Sequence, residues 1–287
     1  MHLLLEQLLN GLAMGSIYAI LTLGLALVYG VMRILHVAHA SVYTVGAYAG
    51  VYLFHATGSL ALAFLGSMLI CAALGVLIER LVYFPLLKQP PYVPMIASIA
   101  VMLTIEELIR LVAGPQILTF DARLPFPSVD LAGVHLNSTL VAVYVITAAI
   151  LGFLWYLTTR TEVGLAMRAT SQDMPIAGAQ GINSHAIVSL TFVIGSAIAA
   201  IGGILVGIYY NEVYPTMGAV PAYKTLALIV VGGMGSVSGA VIAAMLLGLA
   251  ETLLIGYLNV PFPRDALAFV AMIGVLVWRS EGLFGSK

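Results

Sequence analysis

Long apolar runs separated by short polar connections occupy nearly the whole chain. A helix needs roughly 20 mostly apolar residues to cross the hydrocarbon core of a membrane. The runs therefore predict an all-α polytopic membrane protein with about 8–10 transmembrane or re-entrant helical segments. Runs of sufficient length lie near 8–30, 36–55, 60–83, 93–113, 139–158, 187–209, 237–258 and 265–280, and a shorter one lies near 222–234.

The composition agrees with a membrane protein and excludes several other classes. Hydrophobic residues make up 62% of the 287 positions and charged residues 8%, whereas soluble domains carry roughly 25% charged residues. So few charges cannot cover a water-exposed surface, and no polar stretch is long enough for a separate soluble domain. We expect one membrane-spanning domain over 1–287. The net charge of −1 provides no basic field for nucleic acid.

The distribution of Lys and Arg predicts the orientation of the chain. Cytoplasmic loops carry an excess of these cations. With the N-terminus outside and every run counted as a crossing, most of the loop cations fall inside, and the C-terminus is expected in the cytoplasm. If 222–234 re-enters the membrane without crossing it, the last two segments invert. The inner cations are Arg33, Arg80, Lys88, Arg160, Arg168, Arg279 and Lys287, and the outer ones are Arg123, Lys224 and Arg264.

Charged residues also occur inside the apolar runs. Glu106 and Glu107 precede Arg110 by four and three positions, a spacing that places both carboxylates beside the guanidinium group. Glu251 lies among apolar neighbours, and a lone carboxylate in such a helix is costly unless it faces protein or water. We expect Glu251 to line a transport path, to be protonated, or to pair with a partner subunit.

Two helix breaks are predicted within the apolar stretches. Gly232, Gly233 and Gly235 should end one helix, because each glycine destabilises a helix by roughly 1 kcal/mol relative to alanine. Ser236 or Ser238 can cap the next helix. The second break covers 36–41, just before the second apolar segment. Irregular backbone at membrane depth survives where it lines a cavity or is buried in protein, and an ordinary turn at the membrane surface is the alternative.

Neither a metal site nor a nucleotide site is predicted. His36 and His39 stand three positions apart, but no third ligand lies near them in the sequence. The stretch from Gly218 to Thr225 resembles a phosphate-binding loop, but Tyr223 occupies the position where such a loop needs a glycine. No catalytic set is evident either. We therefore expect this chain to bind no cofactor, and any ATP that drives it should bind another polypeptide.

The longest inner polar segment, about 159–185, has the pattern of short amphipathic helices separated by turns. Pro175 suits the first turn of a helix capped by Asp173, and Gly181 suits its C-terminal stop. Such helices either dock something cytosolic or lie on lipid headgroups. Their apolar positions are Leu165, Met167, Met174 and Ile176.

This segment resembles the ATPase-contacting loop of the branched-chain amino acid ABC permease family, and further motifs extend the resemblance over nearly the whole chain. It is strongest to the LivH-type permeases. The segment reads Gly164-x-x-x-Arg168-Ala169-x-x-x-Asp173-x-x-x-Ala177-x-x-x-Gly181-Ile182-Asn183. The other motifs are Asn10-Gly11-x-x-x-Gly15-Ser16-x-Tyr18-Ala19, His36-Val37-Ala38-His39-Ala40 followed by Gly46-Ala47-Tyr48, Val231-Gly232-Gly233-Met234-Gly235-Ser236, and Gly248-x-Ala250-Glu251.

The resemblance implies the permease subunit of an ATP-driven importer for branched-chain or other hydrophobic or neutral amino acids. Its implied partners are a second related permease, two ABC ATPase subunits and an extracytoplasmic substrate-binding protein in a bacterial inner membrane. The implied coupling residues are Gly164, Arg168, Ala169, Asp173, Ala177 and Gly181. The path residues are expected to be His36, His39, Ser41, Gly46, Gly232, Gly233, Gly235 and Glu251.

Two questions stay open at the level of sequence. His36, Val37 and Ala40 replace the family's usual Asn, Phe and Gly, so branched-chain amino acids, other neutral amino acids, urea and short amides all remain candidate solutes. The alternative function is a self-sufficient, ion-coupled secondary carrier of small neutral solutes. In such a carrier Glu251 and the cluster of Glu106, Glu107 and Arg110 would be the coupling groups.

Overall fold

A computed structural model describes residues 2–87, 89–122, 124–131, 134–258, 263–279 and 281–284. Three cations of the orientation count, Lys88, Arg123 and Lys287, lie outside these ranges. The described α-helices are α1 (His2–Met32), α2 (His39–Thr57), α3 (Leu60–Ile78), α4 (Phe84–Leu86), α5 (Tyr92–Ala113), α6 (Ser138–Arg160), α7 (Glu162–Gln172), α8 (Met174–Ala179), α9 (Ser184–Tyr210), α10 (Ala219–Gly232), α11 (Val237–Glu251) and α12 (Arg264–Trp278).

Each predicted apolar segment coincides with one of these helices, so the predicted all-α polytopic fold is confirmed. A π-helical turn, Glu79–Tyr83, joins α3 to α4, and a second one, Thr252–Tyr257, extends α11. The helices that are long and apolar enough to span a membrane are His2–Met32, Leu60–Leu86, Ser138–Arg160, Ser184–Tyr210 and Val237–Tyr257.

The two shorter apolar helices are α10 and α12. α10 has 14 residues and is therefore about 21 Å long, less than the roughly 30 Å of the hydrocarbon core. Whether the 222–234 segment crosses the membrane or re-enters it stays a prediction. The described residues between α5 and α6 form no helix. It contains a small antiparallel hairpin of β1 (Val129–Leu131) and β2 (Val134–Leu136).

The core forms around α1, which packs against α9, α10 and α11. Closely approaching glycines make this packing possible. A Cβ added at Gly248 of α11 would lie 2.2 Å from the backbone N of Gly15, and one added at Gly46 of α2 would lie 2.5 Å from the Cα of Ala200. These glycines therefore bring helices of this chain together.

The perimeter of the helix bundle is apolar. Leu69 on α3, Leu111 on α5 and Val277 on α12 are 72%, 81% and 84% exposed. Apolar side chains that point away from the core in this way are expected where lipid or another apolar subunit surrounds the protein.

Candidate functional site

A buried ion cluster joins four helices in the middle of the fold. The Nζ of Lys224 on α10 lies 2.9 Å from Oε1 of Glu251 on α11 and 3.1 Å from Oδ1 of Asp265 on α12. Lys224 also donates to the hydroxyl of Tyr18 on α1 at 2.9 Å, and that hydroxyl donates to Oε2 of Glu251 at 2.7 Å. Lys224 and Glu251 are each 2% exposed, whereas the side chain of Asp265 is 49% exposed.

The predicted placement of Lys224 in an outer loop is wrong. The helix begins at Ala219, with Pro221 in its first turn, where proline needs no hydrogen-bonded N–H. Lys224 is therefore inside α10. Burying a charged group costs several kcal/mol unless hydrogen bonds and opposite charges compensate it, and its three partners provide that compensation. Glu251 accordingly has a cationic partner within this chain.

A cavity of about 250 Å³ opens beside the ion cluster. Lys224 and Asp265 form part of its wall, and Glu212 lies on its rim as an exposed residue. Most of the remaining lining is aromatic or apolar. It includes Met14, Ile17, Tyr18, Leu21, Tyr43 and Met217.

The break before α2 is held by a buried polar network. The Tyr83 hydroxyl lies 2.6 Å from His36 Nδ1 and donates to Ser98 Oγ at 2.7 Å. Ser98 Oγ also accepts from the backbone N–H of Ala38 at 2.9 Å. The residues from His36 to Ala38 are buried in protein. The prediction of an interruption is confirmed, but the break spans 33–38, three residues earlier than predicted, because α1 ends at Met32 and α2 begins at His39.

The other predicted path residues near this break lie in the packed interior. A Cβ at Gly24 would lie 2.7 Å from the ring of His39, so α1 leaves room for that ring. Ser41 donates to the carbonyl of Ala38 at 2.8 Å, and Gly46 faces α9. Neither His36, His39, Ser41 nor Gly46 lines the cavity beside Lys224, and their role in a path stays a prediction.

The glycine break between α10 and α11 is confirmed. Gly233 and Gly235 have φ angles of 102° and 94°, which favour glycine. Ser236 caps α11 by accepting from the N–H of Gly239 at 3.1 Å. The C-terminal segment closes over the break, since the N–H of Leu283 donates to the carbonyl of Val231 at 2.8 Å.

The predicted short inner helices are α7 and α8. Thr161 caps α7 by accepting from the N–H of Gly164 at 3.1 Å, and Asp173 caps α8 by accepting from the N–H of Ile176 at 2.8 Å. Gly181 follows α8 with a φ of 85°. The expected cap at Asp173 and the expected stop at Gly181 are both confirmed.

The apolar residues of α7 and α8 point in two directions. Met167 and Ala177 are each 4% exposed and face the rest of the protein. Leu165 and Ile176 are 60% and 62% exposed. The two helices therefore form an outward-facing surface, which we call the α7–α8 surface, with these two apolar side chains on it.

Arg168 fastens α7 to the end of α6. Its Nη1 donates to the carbonyl of Thr158. At Gly164 the backbones come close, since an added Cβ would lie 2.3 Å from the carbonyl oxygen of Leu157. Ala169, next to Arg168, is half-buried. These contacts hold α7 against the end of α6.

α7 and the glycine break border the same groove. Its lining includes Gly164 and Arg168 from α7, Thr158 from α6, and Gly235 and Val237 from the break and the start of α11. α7 therefore lies across this groove from the turn between α10 and α11, the two helices that hold Lys224 and Glu251.

The cluster of Glu106, Glu107 and Arg110 differs in part from its predicted arrangement. Arg110 Nη1 lies 2.6 Å from Oε1 of Glu107, and both side chains are exposed. Glu106 is 7% exposed, and its Oε1 has no hydrogen-bond partner among the described residues. The i,i+3 pair forms and the i,i+4 pair does not.

The architecture and the buried ion cluster are typical of a polytopic membrane transport protein. The sequence pattern of the family described as "branched-chain amino acid transport system / permease component" matches residues 7–276. The chain therefore belongs to this family.

The matches to named relatives cover nearly the full length of this chain. The high-affinity branched-chain amino acid transport system permease protein LivH of Escherichia coli K12 is 32% identical, over 98% of this chain and 95% of its own. The corresponding protein BraD of Pseudomonas aeruginosa is 31% identical with the same coverage. A solved chain described as a metal-chelate type ABC transporter in an inward-facing conformation shares the fold, with a TM-score of 0.52 at 18% identity over 96% of this chain and 85% of that one.

Proposed function

We propose that this chain is the transmembrane permease subunit of an ATP-driven ABC importer for branched-chain or other hydrophobic or neutral amino acids. The observation that carries the proposal is the similarity to LivH and BraD over 98% of the chain. Those relatives are permease proteins of high-affinity branched-chain amino acid transport systems. The importer would operate in a bacterial cytoplasmic membrane.

The proposed partners follow from what this chain contains and what it lacks. ATP and Mg²⁺ would bind two separate ABC ATPase subunits. The α7–α8 surface would dock these subunits, because Leu165 and Ile176 are exposed there on helices that Arg168 and Gly164 hold in place. A second, related permease would complete the translocation path, and an extracytoplasmic binding protein would deliver the solute.

During alternating access, the α10–α11 hairpin would connect the ATPases to the translocation path. The groove between α7 and Gly235 lies at one end of this hairpin, and the pair of Lys224 and Glu251 lies at the other. α11 would carry a displacement at Gly235 over about 20 Å to Glu251 of the ion cluster. The path residues of the glycine break, Gly232 and Gly233, would act as the hinge.

Purification from native membranes tests this proposal against the carrier alternative. An importer subunit co-purifies with a second permease and two ATPases, and the reconstituted assembly takes up L-leucine only when ATP reaches the ATPases. An ion-coupled carrier, in contrast, takes up solute as a single polypeptide and loses uptake when an ionophore removes the ion gradient. Uptake by the isolated chain without ATP would refute the importer.

A further inference from the structure

We propose that the cavity beside Lys224 binds the ammonium group of a transported amino acid, with Asp265 as its principal ligand. This inference rests on the proposed function and narrows it, because it selects solutes that carry a primary ammonium group over urea and short amides. It concerns a site on this chain, separate from any site on a binding protein.

The charges around the cavity favour a cationic ligand. Lys224 lies within 3.1 Å of both Glu251 and Asp265, so one cation faces two carboxylates and one negative charge is left over. Glu212 on the rim adds a further carboxylate. A ligand that brings one positive charge would neutralise the net charge of Lys224, Glu251 and Asp265.

Lys224 itself is not available to a ligand's carboxylate. An ammonium group has three N–H donors, and Lys224 has three partners, Tyr18, Glu251 and Asp265. Asp265 differs from Glu251 in that about half of its side chain is exposed, so it can bind a second cation without losing Lys224.

The rest of the cavity suits an apolar side chain. Met14, Ile17, Leu21 and Met217 lie on its wall, and aromatic faces such as that of Tyr43 attract an ammonium group. Its volume of about 250 Å³ is just below the range of roughly 300–1,000 Å³ typical of drug-sized ligands. The cavity therefore fits a small solute with one charged end and one apolar end.

Ligand protection of an introduced cysteine tests the site directly. Val220 lines the cavity and is 37% exposed, so Val220→Cys in a Cys71→Ala background provides a reactive thiol there. The full reconstituted transporter is labelled with a maleimide in the presence of L-leucine, of isoamylamine, which has only the ammonium group, or of isocaproate, which has only the carboxylate. Asp121→Cys, on an exposed residue outside the cavity, is the control.

The proposal predicts that leucine and isoamylamine slow labelling at position 220 and that isocaproate does not. Asp265→Asn should raise the leucine concentration for half-protection roughly tenfold or more, since the charged carboxylate is replaced by a neutral amide that accepts a weaker hydrogen bond from the ammonium group, and Asp265→Glu should restore protection. Equal protection by isocaproate, protection by NaCl alone, or no protection would overturn the ammonium site. If the same wild-type assembly shows no ATP-driven leucine uptake, the proposed function is refuted. If uptake is normal but leucine does not protect position 220 from labelling, only the ammonium site is refuted.

Discussion

Lys224 and Glu251 form an ion pair across the glycine break, with 2.9 Å between Nζ and Oε1 although the residues are 27 positions apart. The pair ties the start of α10 to the end of α11, and Tyr18 links both to α1. Since both charged side chains are almost completely buried, Glu251 depends on Lys224 for compensation of its charge, whereas Lys224 also has the carboxylate of Asp265.

Removing Lys224 alone should destabilise the protein more than removing both charges of this pair. Lys224→Met alone leaves Glu251 as an uncompensated buried charge, a loss of about 3–5 kcal/mol, whereas Glu251→Gln leaves Lys224 paired with Asp265 and should cost less. The double variant leaves no such charge and should regain most of that loss. The measurement is thermal unfolding in detergent. Glu107→Gln is the matched control, because the pair of Glu107 and Arg110 is exposed and should contribute about 0–1 kcal/mol. Additive losses in the double variant would contradict the pairing.

The close contact at the glycine break makes a second prediction. A Cβ at Gly232 would lie 2.5 Å from the backbone N of Ala240, so Gly232→Ala should push α10 away from α11 and lower both the melting temperature and uptake. Gly152 on α6 has no atom within 4 Å of an added Cβ, and Gly152→Ala should leave both unchanged. Equal behaviour of the two variants would show that the break tolerates separation of the helices.

The orientation can be tested with impermeant thiol reagents. In a Cys71→Ala background, a cysteine at the exposed Asp121 should react from outside intact cells, and one at the exposed Gln172 only after the membrane is opened. These expectations follow from the excess of inner Lys and Arg. Labelling at position 172 in intact cells would reverse the orientation and place α7 on the wrong side for an ATPase.

The lengths of the apolar runs and the helix-breaking residues were sufficient to predict the long helices. The break between α10 and α11 is encoded locally, by Gly233 and Gly235 with positive φ and by the Ser236 cap. The ends of α8 were equally predictable, because Asp173 and Gly181 act within one turn of the chain. Local chemistry of this kind does not depend on where the helices pack.

The ion cluster could not be predicted in the same way. Lys224 stands near Gly218 and Pro221 at the start of the shortest apolar run, where a flanking loop is the ordinary interpretation. Asp265 and Tyr18 are remote from it in sequence, and only the packing of α1, α10, α11 and α12 brings them together. The sequence contained one signal of this pairing. Lys224 and Glu251 have opposite charges and lie in or beside neighbouring apolar segments, and such residues are expected to pair.

Two residues of α7 have different proposed roles: Arg168 holds the helix against α6, and Leu165 contacts the ATPase. Arg168 binds the carbonyl of Thr158, so Arg168→Glu should displace α7 and abolish both substrate-stimulated ATP hydrolysis and uptake while the subunit stays inserted. Arg160→Glu is the control, because Arg160 lies at the same end of α6 and packs on Trp155. Arg160→Glu should retain both activities.

Leu165→Asp tests the central claim most directly, because Leu165 is 60% exposed and its replacement should leave the fold of this chain intact. The measurement is pull-down of the ATPase subunits together with ATP-driven L-leucine uptake in proteoliposomes, with Leu165→Met as the control. A charge placed in an apolar contact should weaken docking roughly tenfold or more, and binding and uptake should fall together while Leu165→Met keeps both. Normal uptake by a correctly inserted Leu165→Asp variant would contradict ATP-driven coupling through the α7–α8 surface.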